Sequence, residues 1–453
     1  METIILAAGK GTRMKSKLPK VLHKVGGKPM LQHVINAAKS AGSTREVVVI
    51  GSGAELVKQT FSDVEFVLQE EQLGTGHAVL CAKENFANSE GNVMILCGDT
   101  PLFTGELLKN LIDAHEKFNA VATVLTAIMP DPKGYGRIIR ADNVDFEKIV
   151  EDKDATPEQK KIREVNAGIY CFKIKSLFAA LEKVTNENSQ GEYYLPDVLE
   201  ILRADGGKIC AVIADDYRQT LGINSRIQLA EADKILRQRK NSELMLNGVT
   251  IIDPATTYID FDVEVGQDTI IYPNTYLEGK TKIGEDCLIG PNVRFTDMIV
   301  GNNVTAQFSY CHEAEISDGV ILGPYVHIRP NTKVSAKVKI GNFVEIKNSN
   351  IGEGTKLPHL QYIGDCDMGA GCNVGCGTIT VNYNGIKKFR TTIGDDVFIG
   401  CNSNLVAPVT VETGAYIAAG STITDNVPKY NLAIARARQV NKNGWKDKRK
   451  EEK

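Results

Sequence analysis

Apolar side chains recur every six residues through most of the second half of this chain. One run is Val265, Ile271, Leu277, Ile283, Ile289 and Phe295; a second is Ile316, Leu322, Ile328, Val334, Ile340 and Ile346; a third is Ile393, Ile399, Leu405, Val411, Ile417 and Ile423. A helix needs apolar spacings of three and four, and a two-faced strand needs two. A strict six therefore belongs to a larger coil whose turns stack on one another. Three hexads per turn, about eighteen residues, predict a triangular prism with one apolar side chain pointing inward from each face. Small residues such as Gly284, Gly290, Gly394, Gly400 and Ala418 follow the inward positions and suit tight corners. About nine coils at ~4.8 Å each would build a rod of order 40 Å, whose flat faces invite oligomerisation.

The chain has 453 residues, 42% hydrophobic and 24% charged, with a formal charge of −3. That length predicts two domains, and that charge leaves no broad footprint for nucleic acid or an anionic membrane. The locally basic tail after Lys442 reads as a solvated end. No segment approaches the ~20 apolar residues that cross a bilayer. The apolar stretch at the N-terminus is too short for a signal peptide, so a cytoplasmic location is expected. Ten cysteines without a CxxC pair read as reduced thiols. Cys366, Cys372 and Cys376 follow the coil period better than a zinc knuckle.

The first half alternates strand-like and helix-like stretches. Thr3–Ala7, Glu46–Ile50 and Asn92–Cys97 are apolar or β-branched runs ending in glycine, and Met30–Ser40 has helical spacing. This predicts βαβ units, an α/β domain with a Rossmann-like, mainly parallel sheet and ligand sites at the strands' carboxyl ends. Ala8–Met14 and Gly98–Pro101 should then share one crevice. Ser225 with Gln228 forms a capping box, helix formers follow, and Gly248 supplies a stop. The expected domains are 1–226, a linker helix 227–247, and the coil 248–453.

Leu6-Ala7-Ala8-Gly9-Lys10-Gly11-Thr12-Arg13-Met14 runs from a strand into a glycine turn. Backbone N–H groups there can approach an anion, with Lys10 and Arg13 adding charge, although a turn merely closing strand and helix has the same spacing. Neither GxGxxG nor a Walker loop is present. Together with Lys17-Leu18-Pro19-Lys20, with Gln69 followed by Leu73-Gly74-Thr75-Gly76, and with Gly98-Asp99-Thr100-Pro101, the turn resembles the sugar nucleotidyltransferases. These join a nucleoside triphosphate to a sugar 1-phosphate. The resemblance implies that Leu6, Ala7, Ala8 and Gly9 line the nucleotide site and that Asp99 and Asn224 hold Mg²⁺. It also implies that Gln69, Gly74 and Thr75 read uracil, that Gly136, Glu151 and Asn166 contact the sugar, and that Arg13 and Lys20 stabilise the triphosphate. Such transfer needs cations around the phosphates and no protein nucleophile.

In the second half the hexads break after Ile346 and between Thr380 and Ile393, and polar side chains gather at the breaks. His359 is the best general base in the chain, whereas His312, without a comparable surrounding motif, reads as structural. Arg329-Pro330, Phe343-Val344-Glu345-Ile346-Lys347, His359-Leu360-x-Tyr362 and Asn382-Tyr383-Asn384-Gly385 resemble the left-handed β-helix acetyltransferases. Combined, the halves resemble the bacterial bifunctional N-acetylglucosamine-1-phosphate uridylyltransferase and glucosamine-1-phosphate N-acetyltransferase family, over nearly the whole chain. That resemblance implies acetyl-CoA and UTP as cosubstrates and glucosamine 1-phosphate and N-acetylglucosamine 1-phosphate as substrates. It also implies a homotrimer and a role in cell-wall precursor synthesis. Arg329 and Lys347 would bind the sugar phosphate, Tyr362 would position the sugar, and His359 would deprotonate the amine. Glu345 would tune the histidine, and Asn373 would steady the oxyanion. Asn382, Tyr383, Cys376, Cys401, Ala419 and Arg436 match acetyl-CoA contacts, with Cys376 standing where alanine is usual and Cys401 where serine is usual. Two other readings share the architecture: a one-site sugar pyrophosphorylase with a regulatory coil, and a catalytically silent scaffold subunit.

Overall fold

The computed structural model describes residues 1–141 and 145–446, so the basic tail from position 447 onward lies outside the described residues. Contacts divide the chain into two compact units, Met1–Leu236 and Arg237–Lys453. The boundary falls inside a single helix, Arg226–Leu246. Its start is capped as the sequence indicates, with the Gln228 N–H donating to Ser225 Oγ at 3.3 Å. The Gln228 side chain reaches back one residue further than expected and accepts from the Asn224 N–H at 2.8 Å.

In the first unit Glu2–Ala7 lies at the centre of a mixed sheet. It pairs in parallel with Glu46–Ile50 and Asn92–Cys97, and Glu46–Ile50 pairs in parallel with Glu65–Leu68. Glu164–Lys173 then runs antiparallel between Asn92–Cys97 and Ala122–Ile128, and Ile209–Ile213 closes that edge in parallel. Ile4, Ile5, Val47–Ile50 and Val93–Leu96 are buried, as strands covered on both faces must be. The carboxyl ends of the parallel strands therefore deliver Ala8, Gln69 and Gly98-Asp99 to one rim. Between Asn166 and Tyr170 the antiparallel strand bulges, with Gly168 at φ +72°, and the Asn166 side chain braces the bulge by donating to Tyr170 Oη at 2.7 Å and accepting from the Gly168 N–H at 2.9 Å.

The second unit is the expected coil of parallel strands. Val265 lies over Ile283, Ile271 over Ile289 and Leu277 over Phe295, which is the eighteen-residue step of three hexads. These side chains are almost all buried and form one continuous core from Leu244 to Val427. Some coils are one or two residues shorter: Phe295 lies over Cys311 and Ile340 over Leu357. These shortened coils, and a jump in register from Met368 to Ile393 around an excursion at 382–390, are what interrupt the hexad phase. Corners turn through left-handed residues, many of them Asn or Asp, such as Asn274, Asp286, Asn292 and Asn303. Coils approach so closely that a Cβ on Gly341 would lie 1.9 Å from the Pro358 carbonyl oxygen. No described helix is long and apolar enough to cross a membrane.

Because each inward side chain fills a layer shared with its neighbours, Ile340→Ala should destabilise the coil by about 2–5 kcal/mol. Lys339→Ala, one residue away and outward, should change it by less than about 0.5 kcal/mol. Urea unfolding followed by hydrogen exchange at amides of the coil separates the two, and equal effects would contradict the inward assignment.

Candidate active sites

The rim of the first unit encloses a cleft of about 540 Å³. It is lined by Leu6–Thr12, Lys20, Gln69, Gly74, Thr75, Cys97 and Asp99, together with Gln72 and Glu192, which sequence reasoning passed over. The Lys20 ammonium forms an ion pair with Asp99 and donates to Asn224 Oδ1 at 3.0 Å. Asp99 and Asn224, 125 positions apart in sequence, thus converge on one cationic centre. The Ile223 N–H donates to the Asp99 carbonyl at 2.9 Å and holds the two segments together. Two oxygen ligands aimed at one positive charge are a donor set that fits a hard divalent cation. Burial pushes the Cys97 thiol up to about 12, so it remains a neutral wall of the cleft.

Arg13 is exposed on the turn Thr12–Met14 and has no ion-pair partner among the described residues. Gly74, at φ +110°, could not carry a Cβ, which would meet the Tyr193 carbonyl oxygen at 2.6 Å. The loop is pinned there because the Gly76 N–H donates to Tyr193 O and the Tyr193 N–H to Leu73 O, each at 2.8 Å. Thr75 Oγ1 accepts from the Leu195 N–H at 3.1 Å. Gly136 and Glu151 flank the paired strands Arg137–Ala141 and Asp145–Val150 and meet Asn166 of Glu164–Lys173. The Asn166 N–H donates to Gly136 O at 2.9 Å, and a Cβ on Gly136 would sit 3.1 Å from Glu151 Oε1. Burial, reinforced by Asp197, raises the Glu151 carboxyl above its usual range, and burial with Glu200 raises Asp197 to about 6.

In the coil, Arg329, Lys347, Asp365 and Lys388 line a pocket of about 630 Å³ together with Tyr310, His312 and His327. His312, read from sequence as structural, is thus part of this wall. Arg329 Nη1 binds Glu345 Oε1 at 2.9 Å. The Lys388 amino group, with burial second, pushes Lys347 down from the ordinary lysine range. Crowded cations of this kind are relieved by an anion. Asp365, almost fully buried, accepts from Asn348 Nδ2 and Asn382 Nδ2 at 2.5 Å each, and Asn382 Nδ2 also lies 3.4 Å from Tyr362 Oη. Asn382 therefore joins Tyr362 in this cluster, while Tyr383 is exposed on the excursion with its hydroxyl donating to Gly385 O at 2.7 Å. Lys388 comes from the same excursion, and Asp365 and Asn348 from corners; neither setting marks a residue in sequence.

His359 stands at a corner. Asn342, His359, Cys376, Cys401 and Ala419 each precede a left-handed residue, namely Phe343, Leu360, Gly377, Asn402 and Gly420. Backbone bonds from Gly377 N to Leu360 O, Asn402 N to Cys376 O and Gly420 N to Cys401 O, at 2.7–2.8 Å, stack the last four coils of this column. Asn342 pairs in register with His359 at its other end. Arg436 caps it by donating from Nη1 to Ala419 O at 2.6 Å. His359 Nδ1 lies 2.6 Å from Asn342 Oδ1. Glu345, expected to tune this histidine, is instead across from Tyr362 in the ladder and bound to Arg329. Asn373 sits opposite Lys356, near the start of the strand Lys356–Gly364 that carries His359.

Residues 3–165 match the family model of the MobA-like NTP transferase domain, and residues 262–297 and 390–425 match the bacterial transferase hexapeptide (six repeats). Relatives named bifunctional protein GlmU resemble the chain along nearly its full length. One from Geobacillus thermodenitrificans is 54% identical over 98% of this chain and 97% of its own. Another from Clostridium beijerinckii is 54% identical over 98% of both chains, and one from Clostridium acetobutylicum is 52% identical over the same shares.

The raised Asp197 makes the folded state bind a proton more tightly than the unfolded chain, so its contribution to stability is present in acid and fades as pH rises from about 4 to about 6. Asp197→Asn should flatten that part of the stability curve, measured by urea unfolding at stepped pH. An unchanged slope would mean that the carboxyl titrates normally.

Proposed function

The chain belongs to the bifunctional GlmU family, and on that premise we propose that its two units catalyse consecutive steps of UDP-N-acetylglucosamine synthesis. In the coil, acetyl-CoA acetylates glucosamine 1-phosphate; in the first unit, the product reacts with UTP and releases pyrophosphate. The observation that carries this reading is that each unit has its own polar cluster with the chemistry of one step.

For acetyl transfer, the Arg329, Lys347 and Lys388 pocket suits the sugar phosphate, with Tyr362 and Asn382 beside the sugar. Asn342 Oδ1 can only accept, so His359 Nδ1 carries the ring proton and Nε2 keeps its lone pair. Nε2 takes a proton from the amine as its nitrogen attacks the thioester carbon. Collapse of the adduct breaks the C–S bond, and the departing thiolate recovers the proton. Asn373 is the side chain assigned to the oxyanion. Main-chain groups along the Cys376–Cys401–Ala419 column, with Arg436, line the path for the acetyl-CoA arm, a role that needs neither alanine nor serine side chains.

For uridylyl transfer, a sugar-phosphate oxygen attacks the α-phosphorus of UTP, and the bond to pyrophosphate breaks. Lys20 and Arg13 face the growing negative charge. Mg²⁺ held by Asp99 and Asn224 would supply charge neutralisation at the phosphates. Gln69, Gly74 and Thr75 hold the uracil, and Gly136, Glu151 and Asn166 hold the sugar. A cytoplasmic homotrimer is the assembly we assign. It is supported by a band of exposed aromatic side chains on the coil, including Tyr276, Tyr310, Tyr325 and Phe343, with the last two stacked at 5.2 Å.

Assays following thiol and pyrophosphate release separately test the division. Asp99→Ala should abolish pyrophosphate release and leave thiol release intact. His359→Ala should lower thiol release by about 10²–10⁴-fold and spare the other reaction. Asn342→Ala should reduce thiol release through kcat rather than KM. Full thiol release in His359→Ala would remove the general base from this scheme.

A further inference from the structure

Gln69 is 3% exposed, yet it lines the nucleotide cleft. Its Nε2 lies 3.2 Å from the Gly74 carbonyl oxygen, and because a carbonyl can only accept, the amide nitrogen must occupy that position. The same Nε2 lies 3.0 Å from His77 Nδ1. An amide nitrogen has two hydrogens and no lone pair to offer, so Nδ1 must be the acceptor. The ring proton is therefore on Nε2, which faces Cys81 Sγ at 3.9 Å. His77 belongs to the helix Thr75–Cys81, and its ring lies 6.5 Å from that of Tyr193, which pins the loop through Gly74. Both amide hydrogens of Gln69 are consumed inside the protein, and the one polar atom left for a ligand is Oε1.

We infer that His77 is a positioning residue for base selection, holding the Gln69 amide so that an acceptor, and not a donor, meets the base. This rests on the assignment of Gln69 to the uracil. Uracil N3 carries a hydrogen and can donate to Oε1, whereas cytosine N3 is an acceptor and would face the oxygen lone pairs unpaired. If the amide turned over, Nε2 would suit cytosine, but Oε1 would then oppose Gly74 O. The turn would also oblige His77 to move its ring proton from Nε2 to Nδ1 and give up the N–H that faces Cys81 Sγ, a second penalty. Preference for the uridine nucleotide is thus built one layer behind the residue that touches the base.

The test compares kcat/KM for UTP and CTP in the full-length protein carrying His77→Leu, His77→Asn or Gln69→Leu, with acetyl transfer as the control activity. His77→Leu removes the acceptor and should cut the UTP-to-CTP ratio by about tenfold, mainly through a higher KM for UTP. His77→Asn can return an oxygen near the Nδ1 position and should keep most of the ratio. Gln69→Leu should lower it at least as far as His77→Leu. An unchanged ratio in His77→Leu, with a lowered one in Gln69→Leu, overturns the inference and leaves Gln69 as base reader. Equal losses in His77→Leu and His77→Asn overturn it in favour of a packing role. An unchanged ratio in Gln69→Leu overturns the base-reading assignment itself.

Discussion

The backbone hydrogen bonds between successive coils are the constraint on which the second unit depends. Each coil repeats the backbone path of the one before, so a side chain's neighbours are set by register across coils. Every outward position thereby belongs to a column, and chemistry can be assembled by placing one residue per coil. The corner positions from Asn342 through His359, Cys376 and Cys401 to Ala419 form such a column. Its cost is visible in Phe343 and Leu360, bulky residues at φ +59° and +45°, where asparagine or glycine turns other corners. What the ladder cannot accommodate leaves as a loop, and the excursion at 382–390 brings Lys388 back onto the face that holds Lys347.

The first unit gathers its polar side chains by a different geometry. Its parallel strands end together, and the segments that follow three of them meet at one rim. No ladder enforces the position of each side chain there, so tertiary ties do that work: Lys20 to Asp99 and Asn224, and Tyr193 to the Gly74 loop. The charge arrangements differ accordingly. Lys20 is matched with a carboxylate, whereas Lys347 and Lys388 are pressed together with Asp365 nearby.

The hexad was legible because a period of six has few other causes, and the strand-then-glycine runs announced the rim. The site residues that sequence missed are those whose partners are set by register. Coils of sixteen, seventeen and eighteen residues alternate, so a partner cannot be found by adding a constant. The seventeen-residue step of this coil sets Asn342 beside His359 and Glu345 beside Tyr362. Lys388 could be found only by knowing how the excursion returns, and Asp365 only by knowing that two amides share it. His77 sits in plain view after Gly74-Thr75-Gly76, but the role inferred for it rests on a hydrogen bond to Gln69 that no spacing reveals.

The replacement of an expected carboxylate by an amide beside His359 has a chemical logic. A carboxylate would orient the ring equally well, but it would place a fixed negative charge close to the thioester carbonyl, where an oxyanion must develop. Asn342 Oδ1 fixes the same tautomer without that charge. The carboxylate that is present, Glu345, is held by Arg329, and so its charge is neutralised on the phosphate side of the site. On the proposed assignment, the column stays neutral where negative charge would develop during reaction, and the pocket stays positive where the substrate's phosphate would sit.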